Sequence, residues 1–85
     1  MRLEEAFGET LRAARKQRGL SQEKLALAAG VERNYVSLIE LGRNSPSMRI
    51  LFKLCRVLEV PPSALLDRVE ERMRAGVQRK RPAMK

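Results

Sequence analysis

Apolar residues recur along most of the chain at the three- and four-residue steps of amphipathic helices, and a glycine or proline closes each run. Leu3, Phe7, Leu11 and Ala14 form the first stripe, which ends at Gly19. Ser21 then stands in N-cap position before Gln22-Glu23-Lys24, and Leu25, Ala26 and Ala29 mark a short second helix that stops at Gly30. After Val31, the stretch from Glu32 to Leu41 carries Val36 and Ile39 on one face and ends at Gly42. Ser45-Pro46-Ser47 is a loop that supplies the next N-cap, followed by Met48, Leu51, Leu54, Cys55 and Leu58 at helical spacing as far as Glu59. Val60-Pro61-Pro62 breaks the chain, and Leu65, Leu66, Val69 and Met73 then repeat up to Gly76. No strand-like alternation, repeat or glycine-rich phosphate loop interrupts this pattern. It predicts an all-α fold of five short helices around one core, the fifth fraying in its last turn.

The 85 residues hold a single domain. Residues 1–70 are expected to form it, and residues 71–85 a basic extension in which the helix ends and disorder follows. Charge is distributed unevenly along the chain. Through Asp67 there are 11 basic and 8 acidic residues, a net of +3, whereas from Arg68 onward 7 basic and 2 acidic residues give +5, for a total of +8. The excess favours a polyanionic partner. The tail itself reads either as a solubilising segment or as a sequence-blind phosphate contact.

Side-chain chemistry narrows the choice further. With no His, one Cys and three aromatic residues (Phe7, Tyr35 and Phe52), the chain lacks Ser-His-Asp triads, Cys-His dyads, His-based metal sites and platforms for stacking bases. An enzyme is therefore not expected, nor a cofactor or metal. Cys55 lies in an apolar run and reads as a small core residue. There is no apolar stretch of signal-peptide or membrane-spanning length, so a soluble cytoplasmic protein without membrane contact is expected.

Residues 22–41 meet the steric demands of a helix-turn-helix, in which two short helices cross steeply and the second lies in the DNA major groove. Ala26 is small where the second helix approaches, and Gly30 tolerates the positive φ of the turn. Leu25, Ala29, Val31, Val36 and Ile39 supply the shared apolar seam. Leu20-Ser21-Gln22-Glu23-Lys24-Leu25-Ala26, Gly30-Val31, Val36-Ser37, Ile39-Glu40 and Gly42-Arg43-Asn44-Ser45-Pro46-Ser47 together resemble the Xre/Cro-type, lambda-repressor-like helix-turn-helix family. The likeness covers about residues 7–66, including Leu58-Glu59-Val60 and Leu65-Leu66. It implies a five-helix DNA-binding domain of a transcriptional regulator that binds pseudo-palindromic operators as a dimer, with recognition helices about 34 Å apart.

On that basis the start of the third helix carries the base contacts. Arg33 is suited to guanine O6 and N7 and Asn34 to adenine N6 and N7, with Ser37 and Leu38 further along the same helix. Glu32 reads either as a partner of the helix dipole or as an acceptor for cytosine N4. Leu38 departs from the polar or basic residue common in the family and offers a thymine-methyl contact instead. Gln22, Arg43 and Asn44 are expected on the DNA backbone. Tyr35 joins them or packs on the second helix or the loop. The resemblance also implies an ion pair between Arg15 and Glu40.

Ile50, Phe52 and Val57 are surplus to the core stripe of the fourth helix, and Leu65, Val69 and Met73 run past the usual end of the family core; together they read as the homodimer surface or as a longer fifth helix folding back on its own core. Pro61 and Pro62 depart from the polar residues usual in the family at that point, which leaves the first turn and angle of the fifth helix open. Other readings are a restriction-modification controller and an antitoxin-like module that also binds an unknown protein. RNA is disfavoured for want of aromatic stacking residues.

Overall fold

The computed structural model describes residues 1–80, with side chains through Gly76. The described residues form helices α1 (Leu3–Gln17), α2 (Gln22–Ala29), α3 (Arg33–Glu40), α4 (Met48–Leu58) and α5 (Pro62–Lys80). Local chemistry sets the boundaries. Ser21 and Ser47 accept hydrogen bonds from the N–H groups of Lys24 and Ile50, at 3.0 and 3.2 Å, and so cap α2 and α4. Gly30 adopts φ +74°, which turns the chain so that Val31 N–H reaches back to the Ala26 carbonyl at 2.9 Å and closes the α2–α3 turn. Glu59 performs the same turn at φ +58° without being glycine. Pro62 opens α5, a position where its fixed φ suits the helix and its missing N–H costs nothing. The proline pair is thus compatible with a regular first turn, in which Leu65 N–H bonds the Pro61 carbonyl at 3.0 Å.

Helix α1 packs on α3 and α5, α2 on α3 and α4, and α4 on α5. Leu11, Leu25, Val36, Ile39, Leu54, Leu58 and Leu65 are buried where these helices converge. Leu3 and Met48, which belong to the apolar stripes of their helices, are instead exposed. Each is the first residue of its helix, where the backward tilt of the Cα–Cβ bond carries the side chain past the end of the core.

A second correction concerns the surface assigned to dimerisation. Leu65 and Val69 lie inside the monomer core and Met73 is half-buried against it, because α5 folds back along α1. These three side chains are occupied within one chain. Helix α5 also continues through Gly76 to Lys80 instead of stopping at the glycine. Gly76 is buried beneath Met1, whose Cβ would stand 3.1 Å from a Cβ at that position, so the glycine serves packing there and not termination. Of the extension expected over residues 71–85 to end its helix and become disordered, the part up to Lys80 is helical, and residues 81–85 lie outside those described. Among the described residues, no helix is long and apolar enough to cross a membrane.

Candidate nucleic-acid interface

Burial of Val36 and Ile39 fixes the rotation of α3 about its axis. Asn34, Ser37 and Leu38, spaced three and four residues apart, consequently share the face turned away from that pair. Asn34 is exposed, as are Glu32 and Arg33 at the helix start, while Ser37 and Leu38 are half-buried. Glu32 is the N-cap residue, and its carboxylate makes no capping hydrogen bond. Of the side chains expected at base edges, Glu32, Arg33 and Asn34 therefore gather at the outer, N-terminal end of a two-turn helix, with Ser37 and Leu38 one turn further on.

What holds that helix is polar. Arg15 on α1 donates from Nε to Glu40 Oε2 at 2.7 Å and from Nη2 to Glu40 Oε1 at 2.9 Å, a parallel pair of charge-assisted bonds. Arg15 Nη1 donates to the Leu20 carbonyl at 2.8 Å, and Gln22 Nε2 donates to Glu40 Oε1 at 2.9 Å. The Arg15 and Glu40 side chains are 9% and 4% accessible, so this is a buried pair and not two surface charges. Hydrogen bonding to the Glu40 carboxylate holds the Arg15 guanidinium above its ordinary pKa, outweighing the opposing effect of burial. One carboxylate thereby ties the end of α3 to α1 and to the first residue of α2.

Close approach of α1 to α3 rests on a residue that carries no side chain. A Cβ at Gly8 would lie 2.5 Å from the Ile39 carbonyl oxygen and 2.7 Å from that of Glu40. The sequence signal was a lone glycine inside an amphipathic helix, which disfavours the helix locally and so points to a packing reason.

The residues expected on the DNA backbone divide into two groups. Gln22 is half-buried, and with one amide hydrogen committed to Glu40 its other hydrogen and its carbonyl oxygen remain for a further partner. Arg43 and Asn44 are exposed in the α3–α4 loop. Tyr35 is half-buried against the core, and its hydroxyl donates to the Ser45 carbonyl at 3.3 Å, pinning the same loop to α3. Missing from the sequence reading was Arg2, whose Nη2 donates to the Gly42 carbonyl at 2.9 Å across forty positions of chain.

The helix-turn-helix family model matches residues 11–65, from the middle of α1 to the start of α5. The chain belongs to this helix-turn-helix family. It is 38% identical over 69 residues to the transcriptional regulator ClgR of Mycobacterium tuberculosis, covering 81% of this chain and 62% of that protein. The chain thus matches somewhat less than two thirds of that relative's length. Among solved structures, the clp gene regulator ClgR of Corynebacterium glutamicum superposes with a TM-score of 0.91 at 29% identity, over 98% of this chain and 88% of that one. The restriction-modification controller protein C.AhdI of Aeromonas hydrophila superposes with a TM-score of 0.71 at 39% identity, over 73% of this chain and 94% of that one. Helix-turn-helix architecture is therefore common to this chain and to proteins named as regulators. The likeness to ClgR extends along α5, where that to C.AhdI covers less of the chain.

Proposed function

We propose that this helix-turn-helix protein is a sequence-specific regulator of transcription that binds double-stranded DNA as a homodimer on a pseudo-palindromic operator. The observation that carries the reading is the contrast along α3. Its C-terminal end is held by the buried Arg15–Glu40–Gln22 network, while Arg33 and Asn34 at the other end are exposed. A helix so anchored presents its base-reading side chains in one orientation, as direct readout requires. Arg33 and Asn34 are the principal base readers in this reading, with Glu32, Ser37 and Leu38 as lesser contacts. Gln22, Arg43 and Asn44 grip phosphates, and Tyr35 supports the loop that carries the last two.

The dimer surface is assigned to α4, where Met48 and Phe52 are 75% and 53% exposed and Ile50 and Val57 are half-buried. Phe52 stands between two shallow clefts, one bordered by Met48 and Lys53 and the other by Val60, Pro61 and Pro62. A knob beside a cleft on the same surface is what a two-fold interface needs, since each copy then fills the other. The activity is binding, with no catalytic step, and its site of action is the cytoplasm. C.AhdI, a restriction-modification controller by name, keeps that narrower role open as a second reading.

Selecting bound duplexes from randomised DNA and sequencing them tests the proposal. A two-fold symmetric motif, with half-site centres about 10 base pairs or a multiple of that apart, is expected. No enrichment over the input pool would overturn the sequence-specific part, and an enriched motif without two-fold symmetry the dimeric part.

A further inference from the structure

Arg2, the N-cap residue of α1, lies against the end of α3. Its guanidinium donates through Nη2 to the carbonyl of Gly42, the residue that turns the chain out of α3 and into the loop bearing Arg43 and Asn44. Gly42 is itself buried against α1, since a Cβ there would meet the Glu5 Cα at 3.3 Å. The N-terminus of α1 and the end of α3 are therefore in direct contact, and Arg2 is fixed to the α3–α4 loop while still exposed.

Arg2, Gly42, Arg43, Asn44 and Ser45 border one shallow cleft, together with Glu4. Residues that carry two guanidinium groups, a side-chain amide and a hydroxyl thus border a concavity on the loop already assigned to the DNA backbone, with Glu4 as the one acidic residue among them. The other nearby acid, Glu5, accepts the backbone N–H of Arg2 at 3.1 Å through Oε1. Electrostatics gives the Arg2–Gly42 bond a meaning beyond packing. A backbone carbonyl exposed in the loop turns the negative end of its dipole toward an approaching phosphate and repels it. By capping the Gly42 carbonyl, Arg2 covers that charge and leaves the rest of its five-donor fork free.

We propose that Arg2 is a further DNA-binding residue, which completes with Arg43 and Asn44 a seat for one backbone phosphate at the C-terminal end of α3. The proposal rests on the reading of this protein as a duplex-DNA binder. The contact is made to phosphate, so it adds affinity without base preference. It also joins α1, which carries Arg15, to the same recognition surface at its opposite end.

The test is fluorescence anisotropy of the full chain on labelled duplexes, one of them a sequence selected by the protein and one of scrambled sequence, across a series of salt concentrations. Arg2→Gln removes the charge and keeps an amide donor for the Gly42 carbonyl, Arg2→Lys keeps the charge, and Arg43→Gln is the reference; thermal unfolding verifies that each variant folds. Arg2→Gln is expected to lower the slope of log Kd against log salt by part of the about 0.9 that one phosphate contributes, since Arg43 remains at that phosphate, and to weaken both duplexes by the same factor. Arg2→Lys is expected to keep most of the slope. A wild-type slope in Arg2→Gln alongside a reduced slope in Arg43→Gln would overturn the proposal. So would an equal fall in Arg2→Gln and Arg2→Lys, because Arg2 would then act by holding the loop and not by its charge. Failure of the wild type to bind any duplex, even at low salt, would instead defeat the DNA-binding reading as a whole.

Discussion

Glu40 takes two hydrogen bonds from Arg15 and a third from Gln22, so a single buried carboxylate serves three helices. Removing it leaves the Arg15 guanidinium in a site of low accessibility with only the Leu20 carbonyl as partner. Glu40→Ala is expected to cost about 3–5 kcal/mol, the usual penalty for breaking a buried pair on one side. Replacing both partners together, Arg15→Met with Glu40→Leu, should cost less than Glu40→Ala alone, because no charge is stranded. Urea denaturation of the wild type and the two variants checks this. A double variant less stable than the single would show that net attraction, and not the desolvated remainder, dominates.

Gly8 lies inside α1, where helix propensity alone favours alanine by about 1 kcal/mol. Packing decides the opposite sign, for a methyl group would stand 2.5 Å from the Ile39 carbonyl oxygen. Gly8→Ala is therefore expected to lower stability by about 1–3 kcal/mol, the range for forcing atoms into a filled site. Any weakening of DNA binding should follow from displacement of α3. Thermal unfolding is sufficient to decide, and a raised Tm would mean that α1 and α3 separate readily.

Arg33 and Arg43 carry the same charge at the start of α3 and in the loop beyond it, and distinct losses are expected from them. Arg33→Ala should flatten base preference at one operator position, with a loss of about 1–3 kcal/mol there, and leave scrambled DNA less affected. Arg43→Ala should weaken every sequence alike and lower the salt slope by up to about 0.9. Competition binding against single-base variants of a selected duplex separates the two. Equal losses on specific and scrambled DNA for both variants would remove the division between reading and gripping.

Phe52 is exposed on α4 while its neighbours Leu51, Leu54 and Cys55 are buried. A charge at position 52 is tolerated by the monomer and not by an apolar interface. Phe52→Glu is expected to keep the wild-type melting behaviour of a dilute sample and to shift the mass in solution from dimer to monomer, as measured by sedimentation. Affinity for a two-half-site duplex should then approach that for a single half-site. An unchanged mass would move the interface elsewhere, and Leu66 on α5 is the next exposed apolar residue to test.

Much of the candidate site was legible along the chain because its signals are local. The cap at Ser21, the glycine turn at Gly30 and the buried spacing of Val36 and Ile39 define α2, the turn and α3 within twenty residues, and family likeness adds the Arg15–Glu40 pair. Arg2 was not legible, since nothing about an arginine before a helix indicates the carbonyl it will meet. Gln22 was legible as a residue of the interface, but its bond to Glu40 depends on where α3 ends in space.

By itself the sequence determined five helices, the approximate ends of all but the last and the face that each buries, because capping, glycine turns and helical periodicity act over a few neighbouring residues. Tertiary structure alone decided what covers each face. Periodicity marks Leu65, Val69 and Met73 as apolar without saying whether α1 or a second copy meets them, and the fold answers with α1. It likewise buried Arg15 with Glu40, brought the Gly8 backbone onto α3 and set Arg2 on Gly42. Such contacts join positions about 25 to 40 residues apart, and their energies exist only once the helices have been brought together.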